Sequence, residues 1–219
     1  MGKIYDILLF DLDGTLTDPE QGISNAVKYS LSYFGVEEKD MKKLRGFIGP
    51  PLIDGYMDIC GFSYDNAVIA RDKYREYYSE KGVLENSIYP GIKDLLEEMK
   101  LMGKRMFVAT SKPVYYADII LKHFGILSYF EGVFGAEMSE KQHRKSDVIK
   151  KVVSNAGELD LKKYLMIGDR KHDLIGANEV GIDSIGVLFG YGTKEELMEH
   201  NPKYIAETVL DLRILLKKI

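Results

Sequence analysis

The feature that most restricts how this chain can fold is its alternation of short apolar runs with amphipathic, helix-period segments. Strand-like runs fall at 4–10, 105–109, 132–134, 164–167 and 184–188. Between them, Ile92, Leu95, Leu96 and Met99 recur at helical spacing ahead of Gly103. Ala117, Ile120, Leu121 and Phe124 do the same ahead of Gly125, and Val148, Ile149, Val152, Val153 and Ala156 ahead of Gly157. Strands alternating with helices predict an α/β protein with a parallel sheet, and a glycine just past each helix is a C-cap signal.

The stretch 18–87 breaks that rhythm. It opens with a helix whose apolar face is Ile23, Ala26, Val27, Ser30, Leu31 and Phe34, closed by Gly35. Polar, helix-period sequence follows, as at 66–80, with no convincing strand. We therefore expect a sheet domain made of 1–17 and 88–219, with a helical insertion at 18–87 after the first strand. Tyr89, Pro90 and Gly91 mark a hinge or turn at the return.

Composition narrows the function classes. A net charge of −4 and the absence of any long Lys/Arg block argue against nucleic acid or an anionic membrane as partner. The one short basic stretch, His143, Arg144 and Lys145, suits a small anionic ligand or a solvated face. No apolar run is long enough to span a bilayer, and the strand-like run four residues from Met1 leaves no room for a secretory signal, so a cytoplasmic protein is expected. The single cysteine, Cys60, forms no internal disulfide and reads as a small buried apolar residue.

Ligands of open parallel sheets bind beyond the carboxyl ends of the strands. There the chain carries Asp11 and Asp13 after the first run, Thr110 and Ser111 after the second, and Asp169 and then Asp173 after the fourth. Clustered carboxylates repel unless a cation lies between them. An oxygen-only set without His or Cys suits Mg²⁺ rather than zinc. Thr110 and Ser111 offer hydroxyls and amides at a strand-to-helix junction, where anions are favoured. Lys145 would neutralise phosphoryl oxygens; Arg144 is the alternative cation.

These residues resemble the four motifs of the haloacid dehalogenase-like superfamily: DLDGTLTD at 11–18, ATSK at 109–112, Lys145, and GDRKHD at 168–173. The likeness spans essentially the whole chain, and GVLFGYGT at 186–193 adds a resemblance to the phosphoglycolate phosphatase-like group. It implies a Rossmann-like sheet core with helices on both faces and a helical cap domain at 18–87. It also implies a Mg²⁺-dependent phosphatase acting on a small-metabolite phosphate monoester through an aspartyl-phosphate. Asp11 would be the nucleophile and Asp13 the acid and base. The metal would be held by the Asp11 carboxylate, the Asp13 carbonyl and Asp169, with Asp173 direct or through water. Thr110, Ser111 and Lys145 would hold the phosphoryl group, and Arg45 in the Gly/Pro-rich stretch 45–51 is a candidate substrate contact. Ser146 stands where relatives commonly have proline, and Ser111 where phosphoglycolate phosphatases often have asparagine.

Two enzymatic alternatives stay open, a 5'-nucleotidase acting on nucleoside monophosphates and a phosphomutase of the β-phosphoglucomutase kind. The non-enzymatic alternative is a receiver-like phosphoacceptor domain, disfavoured by the DxD spacing and by the insertion. The expected partner is a small phosphorylated metabolite, and the expected state a monomer or small homo-oligomer.

Overall fold

The computed structural model describes residues 5–138 and 144–219, so Ile4 of the first strand-like run and His143 lie outside the described residues. Among the described residues there are eight strands: β1 (Ile7–Phe10), β2 (Thr17–Asp18), β3 (Ser87–Ile88), β4 (Arg105–Pro113), β5 (Gly132–Ala136), β6 (Tyr164–Gly168), β7 (Asp183–Val187) and β8 (Tyr204–Ala206). Among the same residues ten α-helices accompany them: α1 (Glu20–Ser32), α2 (Met41–Arg45), α3 (Leu52–Cys60), α4 (Tyr64–Tyr77), α5 (Ile92–Leu101), α6 (Val114–His123), α7 (Lys145–Ala156), α8 (Lys171–Val180), α9 (Lys194–Met198) and α10 (Val209–Leu216).

Six strands form one parallel sheet in the order β5-β4-β1-β6-β7-β8, while β2 and β3 make a separate two-stranded sheet. All four residues of β1 and all five of β6 are buried, as strands covered on both faces must be. On one face Ile7, Leu9, Phe107, Tyr164 and Met166 pack with Val148, Ile149 and Val152 of α7 and Ala177 of α8. By the two-residue period of a strand, Leu8, Phe10, Met106, Val108, Leu165 and Ile167 point the other way, and they are equally buried. The expected α/β class with helices flanking a parallel sheet is borne out.

Register decides what the sheet presents at its edge. Phe10 pairs with Val108 of β4 and with Ile167 of β6, so the end of β1 is level with the residues just before Ala109 and Gly168. The chain runs from β1 outward through β4 and β5, then crosses back to β6 on the other side of β1. The β1/β6 boundary is therefore the topological switch point, where such sheets bind ligands.

Details depart from the sequence reading in understandable ways. The strand expected at 105–109 continues to Pro113 through an irregularity, because the β4/β5 register shifts between Ala109 and Pro113. The last predicted strand is displaced by one residue, to Asp183–Val187. β8 was not predicted: it has three residues, only Ala206 is buried, and so it lacks a strong apolar pattern. Gly157 caps α7 with φ +72°, whereas Gly103 and Gly125 follow a cap residue by one position. Cys60 is half-buried rather than buried.

The chain divides into two compact units, Met1–Asp18 with Ile88–Ile219, and Pro19–Ser87. The second unit is helical, built from α1 to α4 and a π-helical turn, Tyr78–Gly82. Three of its tyrosines, Tyr56, Tyr74 and Tyr78, are buried, which marks them as packing residues. The Gly22 N–H donates to the Glu85 carbonyl at 2.9 Å, and a Cβ on Gly22 would collide with the Gly82 carbonyl. Arg45 ends α2, is exposed, and its Nε donates to Glu20 at 2.9 Å.

Candidate active site

The turn after β1 is wound around one carbonyl. The amides of Leu16 and Thr17 donate to the Leu12 carbonyl at 2.9 and 3.0 Å, and the Gly14 N–H donates to the Thr17 carbonyl at 2.7 Å. Gly14 has φ +85°, a conformation open to glycine at no steric cost. Leu12 is fully buried and anchors the turn, while Asp11 and Asp13 flank it. The Asp11 amide donates to the Ile167 carbonyl at 2.9 Å, which ties Asp11 to β6.

Lys145, the first residue of α7, enters the same space and is only 6 % exposed. Its Nζ lies 2.8 Å from Asp11 Oδ1, 2.7 Å from Asp173 Oδ1 and 3.0 Å from the Ala109 carbonyl. Gly176 of α8 makes room, since a Cβ there would stand 2.9 Å from the Lys145 side chain. Arg144 is exposed, so it is Lys145 that reaches the carboxylates. Asp173 lies in the first turn of α8 and accepts the Arg170 N–H at 3.1 Å.

Asp169, at the end of β6, is fully buried. Its Oδ2 accepts the Tyr191 N–H at 2.8 Å, and the Thr15 hydroxyl stands 3.4 Å from its Oδ1. Glycines wall it in: a Cβ on Gly14, Gly190 or Gly192 would collide with Asp169. The Tyr191 hydroxyl donates to Asp18. Oxygens of Asp11, Asp169 and Asp173 all lie within 4.8 Å of one another. Three carboxylates against one ammonium leave a formal charge of −2, and the donors are oxygens only. Such a set fits a hard divalent cation.

The electrostatics report the same imbalance. Burial, and then the charges of Asp173 and Asp11, push the Asp169 carboxyl well above the usual range. Burial and Asp11 push Asp173 up to about 6, against the pull of Lys145. Burial works against the Lys145 ammonium, but Asp11 and Asp173 outweigh it and raise its pKa. The Asp13 side chain stands outside the three-carboxylate group. Burial raises its pKa, with Lys112 opposing.

At the end of β4, Thr110 is buried and accepts the Lys112 N–H at 3.2 Å, while Ser111 is half-buried. Neither begins a helix, because β4 runs on to Pro113 and α6 starts at Val114. Lys112, a residue the motif reading passed over, places Nζ 2.5 Å from Asp13 Oδ2. Its only signal was its place in ATSK. The Tyr191 amide and the glycine walls were likewise unassigned, though they lie within the GVLFGYGT segment.

A family described as haloacid dehalogenase-like hydrolase matches residues 8–187. The chain belongs to that family. The resemblance read from the four motifs is borne out, and the receiver-like alternative falls. A 5'-nucleotidase of Pseudomonas aeruginosa is 39 % identical to this hydrolase, over 97 % of this chain and 96 % of that one. A solved structure from Clostridium difficile, provisionally described as a phosphatase, is 46 % identical, with TM-score 0.90 over 98 % of this chain and 100 % of that one. Tyrosine-protein kinase PtkA of Mycobacterium tuberculosis is 34 % identical over 97 % of this chain and 72 % of its own length. A phosphoglycolate phosphatase of Vibrio parahaemolyticus is 28 % identical over 94 % and 93 %. Among these hydrolases the chain stands with the phosphoric monoesterases. Among the described residues no helix is long and apolar enough to cross a membrane.

Proposed function

We propose that this hydrolase is a Mg²⁺-dependent phosphatase of small-metabolite phosphate monoesters that works through an aspartyl-phosphate on Asp11. The observation that carries the reading is Lys145 held between Asp11 and Asp173 inside a three-carboxylate group at the switch point of the sheet.

Asp11 attacks phosphorus with a carboxylate oxygen, displacing the alcohol and leaving the phosphoryl group on the side chain. Asp13 gives its proton to the departing oxygen and later takes one from the attacking water. Lys145 and the Thr110 and Ser111 donors hold the phosphoryl oxygens as charge spreads over them. Asp11, Asp169 and Asp173, with the Asp13 carbonyl, would hold Mg²⁺, which supplies charge neutralisation at the phosphoryl group. The unit 19–87 serves as the cap that selects the substrate, with Arg45 a candidate contact.

For substrate class, nucleoside 5'-monophosphates come first, supported by the 39 % identity to a 5'-nucleotidase along nearly the whole of both chains. Phosphoglycolate ranks below them, in keeping with the more distant relative and with Ser111 in place of asparagine. The test is released phosphate across nucleoside monophosphates, 2-phosphoglycolate and other alkyl phosphates, with and without EDTA, for the wild type and Asp11→Asn. Mg²⁺-dependent release abolished by Asp11→Asn is expected. Turnover retained in Asp11→Asn would defeat the covalent mechanism. Rapid conversion of β-glucose 1-phosphate to glucose 6-phosphate would rule for a mutase.

A further inference from the structure

Lys112, which pairs with Asp13, is given no role in the mechanism above. The pair's side chains are almost enclosed, at 6 % and 13 % exposure, with Nζ 2.5 Å from Oδ2. The other oxygen, Asp13 Oδ1, is shielded from solvent and has no hydrogen-bond partner among the described residues. A buried acceptor left unpartnered costs about 1–3 kcal/mol, and each one requires an explanation. Structural pairing alone does not supply one, because it accounts only for Oδ2.

The backbone around Lys112 is built to aim it. The register shift between Ala109 and Pro113 turns the end of β4, and such irregularities redirect side chains. The Lys112 amide is held by Thr110 Oγ1, and β5 approaches so closely that a Cβ on Gly135 would collide with the Lys112 carbonyl. Lys145 is meanwhile engaged with Asp11, Asp173 and Ala109. The two lysines thus divide the two aspartates of the DxD segment between them.

We propose that Lys112 is a positioning residue for Asp13: it fixes the carboxyl group by one oxygen and leaves Oδ1 as the atom that exchanges the proton with the leaving group. This deepens the phosphatase reading and rests on it. In the first step the bond from Asp11 to phosphorus forms, the ester P–O bond breaks, and the Oδ1 proton passes to the departing oxygen, giving a neutral alcohol. In the second step water attacks phosphorus, its proton goes to Oδ1, and Asp11 leaves as a carboxylate.

The test uses leaving groups of different need. An alkoxide requires a proton as it departs, whereas 2,4-dinitrophenolate does not. The ratio kcat/KM reports through the first irreversible step, formation of the aspartyl-phosphate. General acid catalysis contributes about 10²–10⁴-fold. Lys112→Met should therefore lower kcat/KM on the fastest alkyl phosphate of the panel above by about tenfold or more, and on 2,4-dinitrophenyl phosphate by less than about threefold. Equal losses on both substrates, or none on either, overturn the proposal while leaving the phosphatase reading intact. A wild type inactive on both overturns the reading itself. Because Lys112→Met strands a buried carboxylate, Asp13→Asn and Asp13→Asn/Lys112→Met provide a second comparison with no stranded carboxylate. Equal kcat/KM on the alkyl phosphate is expected for these two. A further fall in the double variant shows Lys112 acting on the substrate directly, and overturns the proposal.

Discussion

Removing and restoring the divalent ion should change stability in a pH-dependent way that the carboxylate group dictates. In the metal-free protein Asp173 is pushed up to about 6 from the ordinary 3.8, by burial first and by Asp11 second. The unfolded chain therefore loses this proton near pH 4, and the folded chain near pH 6. Between those values the folded state binds more protons, so metal-free stability falls as pH rises, and below pH 4 the contribution is fully present. A shift of this size corresponds to about 3 kcal/mol at most, and Asp169 moves in the same direction. Lowered carboxylates elsewhere, such as Glu98 and Glu158, act oppositely as pH falls through their own range. The clean quantity is thus the difference in Tm between Mg²⁺ and EDTA samples at each pH. A cation must displace the Asp173 proton below pH 6, so Asp173 alone should make this difference grow by up to about 1.4 kcal/mol per pH unit from pH 5 to 6, a contribution that levels off above. For a chain of this length that is about 3–5 °C in Tm. Differential scanning fluorimetry at matched ionic strength is sufficient. Asp173→Asn should flatten the slope. A pH-independent difference in the wild type, or an unchanged slope in the variant, refutes the assignment of these carboxylates to one ion site.

Three further outcomes follow from the geometry. Lys145→Met leaves Asp11 and Asp173 facing each other without their cation, so phosphate release should fall at least 100-fold, while Arg144→Met should stay within about threefold. Gly14→Ala places a methyl group at φ +85° against the Asp169 carboxyl, and calorimetry should show Mg²⁺ bound at least tenfold more weakly. Tyr191→Phe removes the hydroxyl that bonds Asp18 but keeps the amide that bonds Asp169. It should cost about 1–2 kcal/mol in denaturant unfolding and leave Mg²⁺ affinity within about twofold.

What the sequence disclosed was local. Asp11, Thr110 and Asp169 were singled out because apolar runs end abruptly in polar residues, and the sheet edge makes Asp11 and Asp169 neighbours. Lys145 was found by its position before an amphipathic helix, though the competition with Arg144 was decided by which side chain is buried. What escaped depended on long-range geometry. Lys112 meets Asp13 across 99 positions because β4 loses register with β5, and no residue pattern announces a register shift. Tyr191 serves Asp169 through its backbone N–H, a group every non-proline residue carries. β8 escaped because a three-residue strand at a sheet edge, with only Ala206 buried, needs little hydrophobic signal.

The glycines around Asp169 bear on binding as well as on shape. Gly14 and Gly190 come from two distant segments and stand close against the carboxylate, Gly192 stands against the Asp169 backbone carbonyl, and the Tyr191 amide fixes one of the carboxylate oxygens. The Asp169 rotamer is chosen before any ion arrives. Immobilising a mobile side chain on binding costs about 0.5–1.5 kcal/mol. Here that ordering is completed during folding, so at the proposed ion site a cation would meet a ligand already in place, and affinity would depend less on side-chain entropy than on charge.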